Sequence, residues 1–214
     1  MDLNISPMIV TVVSTHFLAL LSPGPDFLMI IKSSINNSKR KSIGVPFGIA
    51  MANAVYIIIC ILGLGEIILN MSFVINIIEF IGGIFFIYIS MKALKSKKQN
   101  YNDIFSVENN SKYRKSFLIS FINGFVSGIS NPKNLIFYLG LFSIIITSET
   151  NNTLKITLGL WMVTIVFIWD SIILFLLSNK NIQKHFQKVI FYVDKVIGTI
   201  LGILGIKLLS MAIL

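Results

Sequence analysis

Six stretches of this chain, at 7–31, 43–65, 73–91, 117–147, 154–178 and 189–212, are apolar for long enough to cross a bilayer. About 20 helical residues, rising 1.5 Å each, span roughly 30 Å of hydrocarbon. Charged residues make up 13% of the 214, about half the share of an ordinary soluble domain. Within lipid the backbone must satisfy its own polar groups, so such runs are expected as helices. The expected fold is an all-α integral membrane protein with six transmembrane helices.

Charge alternates between the connectors. Lys32, Lys39, Arg40 and Lys41 follow the first run, and Lys92, Lys95, Lys97, Lys98, Lys112, Arg114 and Lys115 follow the third. Lys180, Lys184 and Lys188 follow the fifth, whereas the opposite side carries only Asp2, Glu66 and Glu149. Basic connectors mark the cytoplasmic side, so the chain is expected to be multi-pass in the cell (plasma or inner) membrane, both termini outside. The net charge of +9 then belongs to membrane topology and not to a nucleic-acid partner. The first six residues hold Asp2 and no base, unlike a secretory signal peptide.

The segment 96–115 is polar and basic, and reads as a cytoplasmic linker between a first three-helix unit, 1–95, and a second, 116–214. Three crossings per unit invert the second relative to the first, as in inverted-repeat transporters with a midplane site. The letters fit a repeat. Glu79, Gly83 and Lys92 have the same spacing as Asp194, Gly198 and Lys207.

Two runs are interrupted. Ser22-Pro23-Gly24-Pro25-Asp26 lies inside the first and Asn131-Pro132-Lys133 inside the fourth. Ser and Asn are N-caps, and proline suits a first helical position because its missing N–H would have no partner there. Helices 1 and 4 are therefore expected to break and restart at these motifs. The fourth run, 31 residues, would reach roughly 46 Å unbroken, too long for an upright crossing. Two restarted N-termini near mid-membrane carry partial positive charge and free N–H groups, a setting for an anionic group such as a carboxylate. The alternative at either proline is a kink that only shapes packing.

Intramembrane acids are functional hypotheses by default. Asp26, in the first turn after the break, could bind an ammonium, exchange protons or simply cap the helix. Asp170, flanked by Trp169 and Ser171, is the other proton-coupling candidate, and Lys133 is a plausible partner for either acid. Asn53 and Tyr56 share a helix face, where substrate contact and interhelix bonding both fit. Glu79 and Asp194 suit interface positions, and Lys195 and Lys207 are expected to snorkel toward water. His16 reads as a neutral histidine bonded between helices and His185 as solvated, while Trp161 is expected in the lipid-facing belt. Gly44, Gly48 and Ala52, like Gly198, Gly202 and Gly205, offer faces for close helix approach. Two isolated histidines and Cys60 do not make a metal site, and no cofactor is expected. No His-Glu-x-x-His, Gly-x-Ser-x-Gly or phosphate loop occurs, which argues against an enzyme.

Pro23-Gly24-Pro25-Asp26-Phe27 and Asn131-Pro132-Lys133-Asn134 resemble the paired signatures of the lysine exporter (LysE/RhtB) family of amino-acid exporters. Gly44, Gly48 and Ala52, Gly82-Gly83 with Tyr88 and Lys92, and Asp194-Lys195 with Gly198, Gly202 and Gly205 extend the likeness. The linker and the fifth run add little to it. The resemblance implies a small six-span secondary transporter that exports amino acids, with protons as the counter-ion and homo-oligomers in the bilayer. The substrate-binding set is then Ser22, Pro23, Gly24, Pro25, Asp26, Asn53, Asn131, Pro132 and Lys133, with proton coupling through Asp26 and Asp170. The alternatives are a heavy-metal cation exporter of the same superfamily and a membrane scaffold or signalling protein without transport.

Overall fold

The computed structural model describes residues 5–22, 24–36, 38–64, 72–97, 116–145 and 150–213. Among the described residues the regular structure is all helical. The helices are α1 (Ile5–Leu21), α2 (Pro25–Asn36), α3 (Lys39–Ser42), α4 (Gly44–Ile59), α5 (Ser72–Lys95), α6 (Phe117–Ile129), α7 (Pro132–Ile145), α8 (Asn152–Leu177) and α9 (Lys180–Ile213). A π-helical turn over Cys60–Leu64 extends α4. Pro23, Asp2, Glu66, Glu149 and most of the linker lie outside the described residues.

Three helical stretches, Lys39–Leu62, Asn152–Leu177 and Lys188–Ala212, are long and apolar enough to cross a membrane. Pro7–Leu21 and Pro25–Ser34 add a fourth if the pair, bent by 54° at the break, forms one span. Phe117–Ile129 is apolar but shorter, its 13 residues reaching only about 20 Å. The connector after the fifth run differs from expectation. Lys180, Lys184 and Lys188 are not in a loop but in the first turns of α9. Nothing between Lys180 and Val189 breaks a helix, and the Asn179 side chain accepts the Asn181 N–H at 2.9 Å as a cap.

Lipid tails give apolar helices no hydrophobic incentive to associate, so close backbone packing must hold them. Glycine supplies that closeness on two faces. A Cβ on Gly44 would lie 2.5 Å from the Phe117 carbonyl oxygen, and one on Gly48 would run into the Phe121 carbonyl, seating α4 on α6. Across α5 and α9, Gly83 and Gly205 approach so closely that a Cβ on either would lie 2.8 Å from the other's carbonyl. The small-residue faces seen in the sequence are thus interhelix contacts.

Two apolar clusters make up much of the buried interior. One buried cluster gathers Val12, Tyr56, Phe137, Tyr138, Leu158 and Met162, and another gathers Ile30, Ile31, Ile49, Val166, Ile173 and Leu174. Along α4 and α8 the polar residues Asn53 and Asp170 fall between members of these clusters. In α1 and α2 the same level is the helix break.

Candidate functional site: two helix breaks joined across one cavity

The first break comes from two prolines in alternate positions. A residue preceding proline is pushed out of the α region, which applies to Ser22 and to Gly24. A helix starting at Pro23, as Ser22-Pro23 suggests, would need Gly24 helical immediately before Pro25. The helix instead restarts at Pro25, with the Leu28 N–H donating to the Gly24 carbonyl at 3.2 Å. Gly24 therefore occupies the cap position expected for Ser22. Asp26 sits in the first turn of α2, where a carboxylate complements the helix dipole.

The second break follows the expected grammar. Asn131 precedes Pro132, the first residue of α7, and its Oδ1 accepts the Lys133 N–H at 3.1 Å. Tyr56 of α4 donates its hydroxyl to the Ile129 carbonyl at the end of α6.

Crossed hydrogen bonds join the two breaks. Asp26 Oδ1 accepts from Ser127 Oγ at 2.9 Å, and Oδ2 accepts from Asn131 Nδ2 at 2.9 Å and Asn134 Nδ2 at 2.7 Å. In return Lys133 Nζ donates to the Ala19 carbonyl at 3.0 Å and the Ser22 carbonyl at 2.7 Å. An acid from one restart is held by the other, and a lysine from that other restart caps the end of α1. Lys133 thus hydrogen-bonds main-chain oxygens while sharing the cavity with both acids that the sequence offered as its partners. The reason is steric economy: the broken end of α1 leaves carbonyls without helical partners, and a long ammonium reaches them.

Between the breaks lies a cavity of about 50 Å³ lined by Ser22, Gly24, Asp26, Asn53, Asn131, Lys133, Asn134 and Asp170, with Ala19, Leu20, Phe27, Ile49 and Val166. That volume suits a few waters, which need on the order of 10–15 Å³ each, so a whole amino acid requires the walls to part. Of the expected site residues, Pro25 is exposed and outside the lining. Pro132 starts α7, and Pro23 lies outside the described residues.

Ser127 and Asn134 are polar partners that the sequence reading did not single out as site residues. Ser127 stands four residues before Asn131, and Asn134 three after it, spacings that share a helix face. Their polarity on one face was the available signal.

Other polar residues fall elsewhere. His16 is buried, its Nε2 3.4 Å from the Tyr138 hydroxyl, in keeping with a histidine bonded between helices. Trp161 is half-buried, with its ring 5.4 Å from that of His16. Lys195 is half-buried, and its Nζ donates to the carbonyls of Ala93, Leu94 and Ser96 and caps α5. Lys207 and His185 are exposed, whereas Glu79 and Asp194 are buried. Among the described residues no three His, Cys, Asp or Glu side chains could share a metal ion.

A family model described as "LysE type translocator" matches residues 17–212. The chain belongs to the LysE family. It is a transporter of that family and a multi-pass membrane protein, not an enzyme. Among its relatives is a "Threonine efflux protein" of Escherichia coli (strain K12), 24% identical over 204 residues, covering 94% of this chain and 97% of the relative. A "Leucine efflux protein" of Enterobacter sp. (strain 638) is 26% identical over 186 residues, 81% of this chain and 85% of its own. No solved structure matches this chain.

Proposed function

We propose that this protein exports small α-amino acids from the cytoplasm by proton antiport, through a site built at the two helix breaks. The observation that carries the reading is the crossed clamp of Asp26 and Lys133 around a polar cavity between the two helix breaks. The efflux names of its relatives support an amino-acid cargo of the threonine or leucine kind. Six spans arranged as two inverted three-helix repeats, with both termini outside, fit the alternating charge of the connectors. In this arrangement α1 with α2 and α6 with α7 are the two broken spans, and Gly24, Asn131 and Lys133 offer backbone and side-chain donors to the substrate carboxylate.

The energetics favour a proton partner. A zwitterion crosses without net charge, whereas a proton drawn inward by roughly 150 mV, inside negative, contributes about 3.5 kcal/mol, a gradient of a few hundred-fold. Cells lacking the gene and loaded with dipeptides test this directly. Restoring the gene is expected to speed the appearance of one or a few amino acids in the medium, more so as the outside is acidified, and Asp26→Asn or Pro132→Ala is expected to slow it. A panel in which no amino acid leaves faster with the gene than without it overturns the reading.

A further inference from the structure

The polar groups around the cavity divide into two sets. Asp26, Asn131, Lys133 and Asn134 bond to one another and to broken helix ends. Asp170 and Asn53 line the same cavity and have no hydrogen-bond partner among the described residues; Asn53 is 4% exposed with its Oδ1 enclosed and unpaired. A buried acceptor without a donor is costly, which applies to Asn53 Oδ1; the half-buried Asp170 lines the same cavity. A ligand with several N–H groups and a positive charge completes them.

We propose that Asp170 and Asn53 form the subsite for the substrate's α-ammonium, and that Asp170 alone takes the counter-transported proton when the substrate has left. This rests on the antiport reading above. Asp26 is then a positioning residue that keeps its three donors throughout. In the loaded state the Asp170 carboxylate faces an ammonium. On release that ion pair separates and one proton from outside forms the carboxylic O–H, which is given up to the cytoplasm before the next substrate binds. The carboxylate therefore never moves as an unpaired charge, which lipid penalises heavily, and one zwitterion leaves per proton entering.

The charged and titratable groups around Asp170 are few. Asp26 of α2 and Lys133 of α7 share its cavity, and neither α3 nor α9 lines it. Tyr138 of α7, four residues beyond Asn134, pairs with His16 of α1 farther out. From α4 comes Asn53, which carries no charge.

The test is calorimetric binding of L-threonine and L-leucine, and of their 2-hydroxy-acid analogues, to the purified full chain between acid and neutral pH. The wild type is expected to prefer the amino acid over the hydroxy acid by about tenfold or more, and to bind it less tightly as pH falls. Asp170→Asn is expected to lose both the preference and the pH dependence, Asp170→Glu to keep the pH dependence, and Asn53→Leu to weaken amino-acid binding about tenfold while keeping it. Asp170→Glu and Asn53→Leu serve if Asp170→Asn does not fold. Undiminished preference and pH dependence in Asp170→Asn, or loss of pH dependence in Asn53→Leu with Asp170 intact, overturns the assignment. Binding that requires Na⁺, judged by replacement with choline, also overturns it. A wild type that binds no amino acid sinks the export reading itself, a different result.

Discussion

The two helix breaks look alike in sequence and are built differently. At the second, the hydrogen-bond ladder hardly stops: Asn131 donates back to Gly128 at 3.2 Å, its carbonyl accepts from Asn134 at 3.0 Å, and its side chain caps Lys133. At the first, three residues separate Leu21 from Pro25, the axis turns by 54°, and the Ser22 N–H donates back to Ala19 at 3.3 Å, but among the described residues no side chain of that segment bonds the end of α1. Lys133 does so from the other break. Both ends borrow a donor from elsewhere, Tyr56 at the Ile129 carbonyl and Lys133 at the Ala19 and Ser22 carbonyls, but only the second break has a side-chain cap of its own. The pair is therefore joined as a single hydrogen-bonded unit, in which the first break is the weaker by its own local bonds.

Substitutions can break this contrast. The largest effect is expected for Lys133→Met, which removes the only side-chain donor to the Ala19 and Ser22 carbonyls among the described residues. A loss of about 3 kcal/mol follows from leaving the Ser22 carbonyl without this donor and the Ala19 carbonyl with the Ser22 N–H alone, read as a lower thermal midpoint in detergent. Asp26→Ala comes next, because Ser127, Asn131 and Asn134 lose an acceptor together; about 2–3 kcal/mol is expected by the same measurement. Asn131→Ala removes one cap and one donor, for about 1–2 kcal/mol. The smallest effect belongs to Gly24→Ala. The nearest side-chain atom to the added carbon is Lys133 Cδ at 3.6 Å, so the change stays within about 1 kcal/mol. A Lys133 variant as stable as Asn131→Ala would remove the distinction between the breaks.

Much of this site was legible because lipid leaves few excuses for polar residues. Asp26, Asn53, Asn131, Lys133 and Asp170 stood out in apolar runs, and the structure gathers all five around one cavity. Local rules located Asn131-Pro132 correctly, where one proline and one cap agree. They misassigned Ser22-Pro23, because the second proline two residues on excludes a helical Gly24 and moves the start to Pro25. Tertiary partners were beyond the local rules. Lys133 and Lys195 both look like lysines seeking water or an acid, yet each caps the end of a helix more than 90 residues away in sequence. The helical start of α9 was hidden because charge alone marks a side of the membrane, not a loop.

The most direct measurement is alkylation of Gly24→Cys by a small polar maleimide in membranes, with and without a saturating exported amino acid. Gly24 lines the cavity at the weaker break, and Cys60 is buried, which keeps background labelling low. Slower labelling in the presence of substrate is expected if the breaks enclose the transport path. An unchanged rate in a variant that still exports would contradict it.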